Sequence, residues 1–413
     1  MALPFDLVVR DARLVDGRVV SIGVRDGRFR AIAAGPVDPE LLRGARLIDA
    51  AGRLVTESFV DAHLHLDKVH TLPIAGEEAL GDYTEGSMSA AMRSVEKAAG
   101  IKARYDRSWI TPNIRAVLDE AVCNGVLHVQ AFVDVDTAAG LEGMAAVLAV
   151  REEYADLVDV RVVAFPQDGL VRDDGAAQLC EQALRQGADV VGGIPWIEDS
   201  DKDARTHVKW ACELARATDR RVAMLVDDAG DPSLQTTAMF AEALLEYGLV
   251  GKGTACHARA VGLYPAPSVR RLIALARAAQ LGFVTDPHTG PLHLPVREFR
   301  RGGVPVALGQ DDIEDAYYPF GRHNLLEIAF LAAHLLGFRT AADQQALLTM
   351  ITVDAARMMG IDRHTLAVGA PANLCIHSGD RLVDVLREHA RPRWVVRRGR
   401  VVAESEISSR IMR

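Results

Sequence analysis

The sequence predicts an α/β fold, a (β/α)8 barrel of the TIM type joined to a small β domain built from both chain termini. Three observations predict it. Between about residues 58 and 360, eight apolar, strand-like runs alternate with helical patterns. Such alternation means parallel βαβ units, and eight of them close a barrel. Short strands broken by turns lie outside this region, at both ends of the chain. Polar and titratable residues gather where the apolar runs end, which is where a barrel of this kind carries its active site.

Taken in order, Phe5 to Val9 and Ala12 to Val15 precede Asp16-Gly17, and Val19 to Val24 precedes Asp26-Gly27. Both dipeptides signal hairpin turns. With Phe29 to Ile32 these runs make a small antiparallel β unit that cannot bury much alone. Its expected partner is the pair of strand-like runs Ala372 to Ile376 and Trp394 to Val402. The domains are therefore 1–57 plus 361–413 for the β unit and 58–360 for the barrel. The eight predicted barrel strands run over 59–64, 127–135, 160–165, 190–194, 221–226, 253–256, 282–285 and 304–308. Helical patterns over 108–124, 140–154, 176–186 and 203–218 separate several of them. A doubly wound open sheet is disfavoured, because no glycine-rich phosphate fingerprint follows an early strand.

Composition narrows the function. The chain has 413 residues, 49% hydrophobic and 25% charged, which describes a globular protein with a large core. Its net charge of -9 and the lack of a basic block argue against nucleic acid. Met1 to Asp6 has no basic start or long apolar run of a secretory leader, and no stretch reaches the length of a spanning helix, so no membrane partner is expected. The five cysteines are scattered without a C-x-x-C pair, against a disulfide framework or thiolate zinc site. The expectation is a reduced, cytoplasmic protein acting on a small molecule, with a homo-oligomer left open.

The chemistry starts in the first barrel strand, at His63-Leu64-His65-Leu66-Asp67-Lys68. Side chains alternate along a strand, so His63 and His65 point the same way and can share one metal ion. The other ends read Asp134-Val135-Asp136, Gln167-Asp168-Gly169, Pro195-Trp196, Asp227-Asp228, Cys256-His257, Asp286-Pro287-His288 and Gln310-Asp311-Asp312. A buried charge costs several kcal/mol unless it is paired or bound to metal, so packing alone explains such a ring poorly. Each group has a plainer reading. Asp227 and Asp228 fit loop carboxylates or a helix cap, His257 a core histidine, Gln167 a turn, and Asp311-Asp312 a cap. His70 and His288 read as residues outside the ligand set. Lys68, too near a cation to be a ligand, is expected to bind a carboxylate or the substrate.

These residues resemble the amidohydrolase superfamily, in particular its cytosine deaminase and N-isopropylammelide amidohydrolase group. The resemblance rests on the H-x-H-x-D run, Val163 to Gly169, Gly187 to Pro195, Cys256-His257, Gly309 to Asp312 and Tyr317-Tyr318-Pro319. It implies one divalent metal ion, zinc or iron with manganese compatible, held by His63, His65 and Asp311. It implies that Asp311 also handles the attacking water and that His257 polarises the carbonyl or the tetrahedral species. Gln167 would read the amide edge of a pyrimidine-like ring, with Tyr317, Lys68 and Asp312 beside the substrate. The chain departs from the group at three polar positions. Leu225 stands where a strand-5 histidine ligand is expected, with Asp228 in place of the glutamate three residues on. Phe132 and Gln310 replace two further histidines. Asp228 is expected to transfer protons. Asp227, Asp228, His257 and His288 are all open as substitutes for the missing ligand, as is an ion that keeps only three protein ligands and is held more weakly.

The expected function is metal-dependent hydrolysis of a C–N bond in a small cyclic nitrogenous compound, with deamination of an aminated heterocycle favoured. The alternatives are hydrolysis of a cyclic amide or imide or of an N-alkyl group, and, in another class, a barrel without catalysis that binds a ligand or partner.

Overall fold

The computed structural model describes residues 5–35, 42, 45–76, 80, 88–406, 408 and 410–412. The first four residues, part of the run expected not to be a leader, lie outside them. The chain begins with β1 (Leu7–Arg13), β2 (Val19–Arg25), β3 (Arg28–Ala33) and β4 (Arg46–Asp49), in the sheet order β3-β2-β1-β4. β1 to β3 are antiparallel, as the turn signals predict, and both Asp26 and Gly27 take the left-handed backbone of a tight hairpin turn. β4 corrects the expectation of an all-antiparallel unit. It pairs parallel to β1, so β3 and β4 at the two edges of the sheet run in the same direction.

β5 (Val55–Glu57) leads into the barrel strands β6 (Phe59–His65), β7 (Val126–Asp134), β8 (Asp159–Phe165), β9 (Val190–Gly193), β10 (Arg221–Val226), β11 (Gly253–His257), β12 (Gly282–Thr285) and β13 (Val306–Leu308). They form one sheet in chain order, each parallel to the next. Closure comes just beyond β13. Asp311 N–H donates to the His63 carbonyl at 2.9 Å, and His65 N–H donates to the Asp311 carbonyl at 2.9 Å. Helices cover the outside. Inside, Val60, Phe132, Phe165, Ala223 and Val284 pack together with Ala355, Met358 and Met359 of the helix Val353–Met359, which plugs the end where the strands begin. The strands are apolar on both faces because both are buried. β14 (Leu374–Ile376), β15 (Trp394–Arg397) and β16 (Arg400–Glu404) join β5 in a second four-stranded sheet. Leu7, Ile22 and Phe29 of the first terminal sheet share a core with Leu374, Ile376 and Val396 of the second. Among the described residues no helix is long and apolar enough to cross a membrane.

Gly192 in β9 shows how tightly the barrel is drawn. A Cβ there would lie 2.3 Å from the Ala164 carbonyl oxygen and 2.9 Å from Phe165 Cα, both backbone atoms that cannot swing aside. Gly192→Ala should therefore destabilise the protein by about 3 kcal/mol, as overpacking does. Chemical denaturation checks this, and an unchanged midpoint would contradict the packing.

Candidate active site

Four buried side chains converge where β6, β11 and β13 end. Asp311 Oδ1 lies 3.0 Å from His63 Nε2, 3.8 Å from His65 Nε2 and 4.0 Å from His257 Nε2. The His63 ring stands edge-on to both His65 and His257, with centroids 5.0 and 4.8 Å away. His257 and Asp311 both hold left-handed backbone at φ 67°, a conformation that non-glycine residues adopt at a cost of about 1–3 kcal/mol and that clusters at functional sites. Neither nitrogen of His63 has a hydrogen-bond partner, nor do His65 Nδ1 and His257 Nε2. Buried polar atoms are normally satisfied, so the two unpartnered Nε2 atoms of His63 and His257, both facing Asp311 Oδ1, fit a cation. Burial, with His257 nearby, pushes His63 down to about 3, and burial with Lys68 nearby also holds His65 well down. Both imidazoles are thus neutral, the form that binds metal.

Carboxylates and one guanidinium surround the cluster. His257 Nδ1 lies 2.7 Å from Asp286 Oδ1. Arg259 donates to Asp228 Oδ1 at 2.6 Å, Asp286 Oδ2 at 2.7 Å and Thr289 Oγ1 at 2.8 Å, and lies 3.8 Å from Asp311 Oδ2. Thr289 Oγ1 donates to Asp286 Oδ2 and lies 3.0 Å from Asp311 Oδ2, which leaves Asp311 Oδ1 turned to the histidines. Three carboxylates, those of Asp228, Asp286 and Asp311, thus surround one guanidinium. Burial works against a charge on His257, but Asp228, Asp286 and Asp311 outweigh it and raise the imidazole to about 9.

A second group faces the first across a cavity lined by His65, Gln167, Ile194, Trp196, Leu225, Asp228, His257, Asp311, Asp312 and Tyr317. Lys68 sits behind Gln167. It pairs with Asp134 at 3.0 Å and donates to Gln167 Oε1. Gln167 Nε2 in turn donates to the Tyr317 hydroxyl at 3.1 Å, so the carboxamide has one fixed orientation. Asp312 is buried, with Oδ1 unpartnered, and burial plus Asp311 and Asp315 hold its carboxyl well above the usual range. Lys102 reaches in from the helix Met88–Lys102 to Asp136 at 2.6 Å and Asp168 at 2.5 Å.

Every residue singled out for the site thus lies in or against this cluster. Those open as spare ligands separate. Both Asp227 oxygens accept from backbone and hydroxyl groups of Thr236 and Thr237, at the start of the helix Thr236–Glu246, with Tyr264 adding a further bond. It is a cap. His288 Nε2 lies 3.1 Å from the Gln310 carbonyl, and His70 pairs with Glu314 near the surface. Phe132 packs edge-on against His63 at 4.3 Å, and Gln310 bonds the Asp312 carbonyl. Sequence reasoning gave no role to Arg259, Asp286, Thr289 or Trp196. Asp286 at a strand end was the available signal. The cation two residues past His257 gave none until the carboxylates around it were in place. Trp196 lines the cavity, and its buried indole N–H has no partner.

The amidohydrolase family pattern matches residues 46–403. The N-isopropylammelide isopropyl amidohydrolase of Pseudomonas sp. (strain ADP) is 29% identical, over 98% of this chain and 99% of its own. The pterin deaminase of Rhizobium rhizogenes is 26% identical, over 93% and 88%. A solved 5-methylcytosine deaminase from Klebsiella pneumoniae superposes with a TM-score of 0.88 at 28% identity, covering 98% of this chain and 99% of that one. With barrel, terminal sheets and family pattern in agreement over nearly its whole length, the chain belongs to the amidohydrolase family and is a hydrolase acting on carbon–nitrogen bonds.

Proposed function

We propose that this protein removes an exocyclic amine from a nitrogen heterocycle, with ammonia as the favoured leaving group, using one divalent ion held by His63, His65 and Asp311. The observation that carries the reading is the pairing across one cavity of a buried, orphaned ligand cluster with an oriented carboxamide at Gln167. The family generally depends on a divalent metal. Zinc or iron suits the imidazole donors, and manganese is compatible. A divalent ion there supplies a nucleophile at neutral pH by bringing the pKa of water from about 15.7 toward about 7.

The chain's own groups do the rest. Asp311, whose Oδ2 lies 3.0 Å from Thr289 Oγ1 and 3.8 Å from Arg259, takes the water proton. Asp228, fixed through Oδ1 by Arg259, keeps Oδ2 on the cavity side, 3.9 Å from His257 Nε2, where it can take up a proton that the attacking water gives up and pass it to the departing nitrogen. His257 acts from within the cluster. Gln167 has its oxygen taken by Lys68, so it offers the cavity an amide N–H, which suits a substrate oxo group or an unprotonated ring nitrogen. Asp312 and Tyr317 flank that contact. Loss of an alkylamine in place of ammonia is a second reading, supported by the likeness to an N-isopropylammelide hydrolase.

The test is a panel of aminated pyrimidines, pterins and N-alkylated heterocycles given to metal-loaded protein, with released ammonia and amine measured. Turnover of an aminated ring is expected. Metal-loaded protein that turns over only ring amides would overturn the deaminase reading, and protein that takes up no metal would favour the barrel without catalysis. Two variants probe the roles. Asp311→Asn should cost at least about 10²-fold in turnover, the low end for loss of a general acid–base. Near-normal turnover would leave Asp311 as a structural residue. Gln167→Glu replaces the donor with a second acceptor that Lys68 will pair with. It should raise KM by about tenfold, the effect of about 1.4 kcal/mol of lost hydrogen bonding, with metal content unchanged. An unaltered KM counts against the contact.

A further inference from the structure

The shell proposed above lacks one protein ligand, because the side chain at 225 is a leucine. Leu225 lines the cavity and offers no donor atom. Resting on the reading that His63, His65 and Asp311 hold the ion, we infer that His257 fills the vacant position, and that the Arg259–Asp228 pair is what keeps a carboxylate from taking it.

The substitutes for the missing ligand are few, and their other commitments decide between them. Asp227 has both oxygens occupied at a helix start. His288 turns Nε2 to a backbone carbonyl. Asp228 stands in the position of the expected acidic residue, but its Oδ1 is held by Arg259 at 2.6 Å. His257 belongs to a group of described residues able to share an ion, with His63 and Asp311.

Geometry supports the assignment. On a tetrahedral ion with bonds of about 2.0–2.1 Å, neighbouring donor atoms sit roughly 3.4 Å apart. The 3.0, 3.8 and 4.0 Å separations of the three Nε2 atoms from Asp311 Oδ1 bracket that value, and the donors of His63, His257 and Asp311 all lie within 4.8 Å of one another, while His65 groups with Asp311 and Asp312. His257 Nδ1 meets Asp286 at 2.7 Å, the carboxylate partner that orients a metal-bound imidazole and fixes its tautomer. The opposite nitrogen, Nε2, is buried, has no hydrogen-bond partner and points into the cluster. Leu225 and Val226 of β10 pair in register with Cys256 and His257 of β11, so the vacancy and its substitute lie on neighbouring strands. A metal-bound Nε2 carries no proton. His257 then cannot donate to a substrate oxygen, the task that the family resemblance implies for it, and Asp228 is left as the proton-carrying side chain on that wall of the cavity.

X-ray absorption of the zinc-loaded wild type reads the shell without any variant. Three imidazoles are expected, and two would overturn the inference. Chelator competition supplies the second reading. His257→Gln should weaken zinc by at least about tenfold, as His63→Ala should, whereas Asp228→Asn should change it by less than about threefold. Leu225→His in the His257→Gln background should restore tight binding. If His257→Gln binds zinc like the wild type while His63→Ala does not, His257 lies off the ion and the inference fails alone. If His63→Ala also has no effect, the proposed His63, His65 and Asp311 site fails first and takes the inference with it.

Discussion

The two backbone hydrogen bonds between Asp311 and the His63–His65 stretch are the contact on which the rest depends. A sheet of eight strands becomes a barrel only where its last strand meets its first. Here that junction consists of Asp311 N–H to His63 and His65 N–H to Asp311. The same residues carry three of the four converging side chains. Closing the barrel and assembling the ligands are therefore one event. Asp61 adds a lower tie: its Oδ1 accepts from the backbone N–H groups of both His63 and Gln310 at 3.2 and 3.1 Å, and its Oδ2 lies 3.0 Å from His323 Nε2. Gly309 completes the fit, since a Cβ there would come 2.9 Å from His63 Cβ. Any change that shifts the seam shifts the imidazoles with it.

Charge is arranged around this seam in two separate groups. Arg259 collects Asp228 and Asp286 beside the imidazole cluster, and Lys68 collects Asp134 behind Gln167. Buried carboxylates left alone would take up protons, because burial disfavours their charge. Giving each group its own cation keeps donors and acceptors distinct on the two sides of the cavity. One side is able to hold a positive ion, and the other presents a neutral amide in a fixed orientation.

Much of this was legible in the sequence. The barrel followed from alternation, because parallel strands buried on both faces leave apolar runs that nothing else in the chain imitates. His63, His65, Gln167 and Asp311 were legible because each sits within a few residues of a strand end, so strand prediction places them. The parallel pairing of β4 was not, since strand direction depends on how the chain crosses between strands. Asp227 was ambiguous beside Asp228 until the helix at Thr236 supplied four donors for it. Arg259 was invisible for a related reason: its meaning lies in Asp228 and Asp286, which belong to other strands and come near it only in the closed barrel.

The sandwich of terminal sheets carries a consequence for the order in which the protein is made. β5 finds its hydrogen-bonding partner in β14, and Phe29 N–H donates to Ala370, more than three hundred residues downstream. During synthesis, β1 to β4 emerge first and wait with Leu7, Ile22 and Phe29 uncovered until the last strands leave the ribosome. Such long-range pairing is slow and leaves apolar strand faces open to other chains. The pairing of β5 with β14 thus makes completion of the terminal core wait on the last part of the chain.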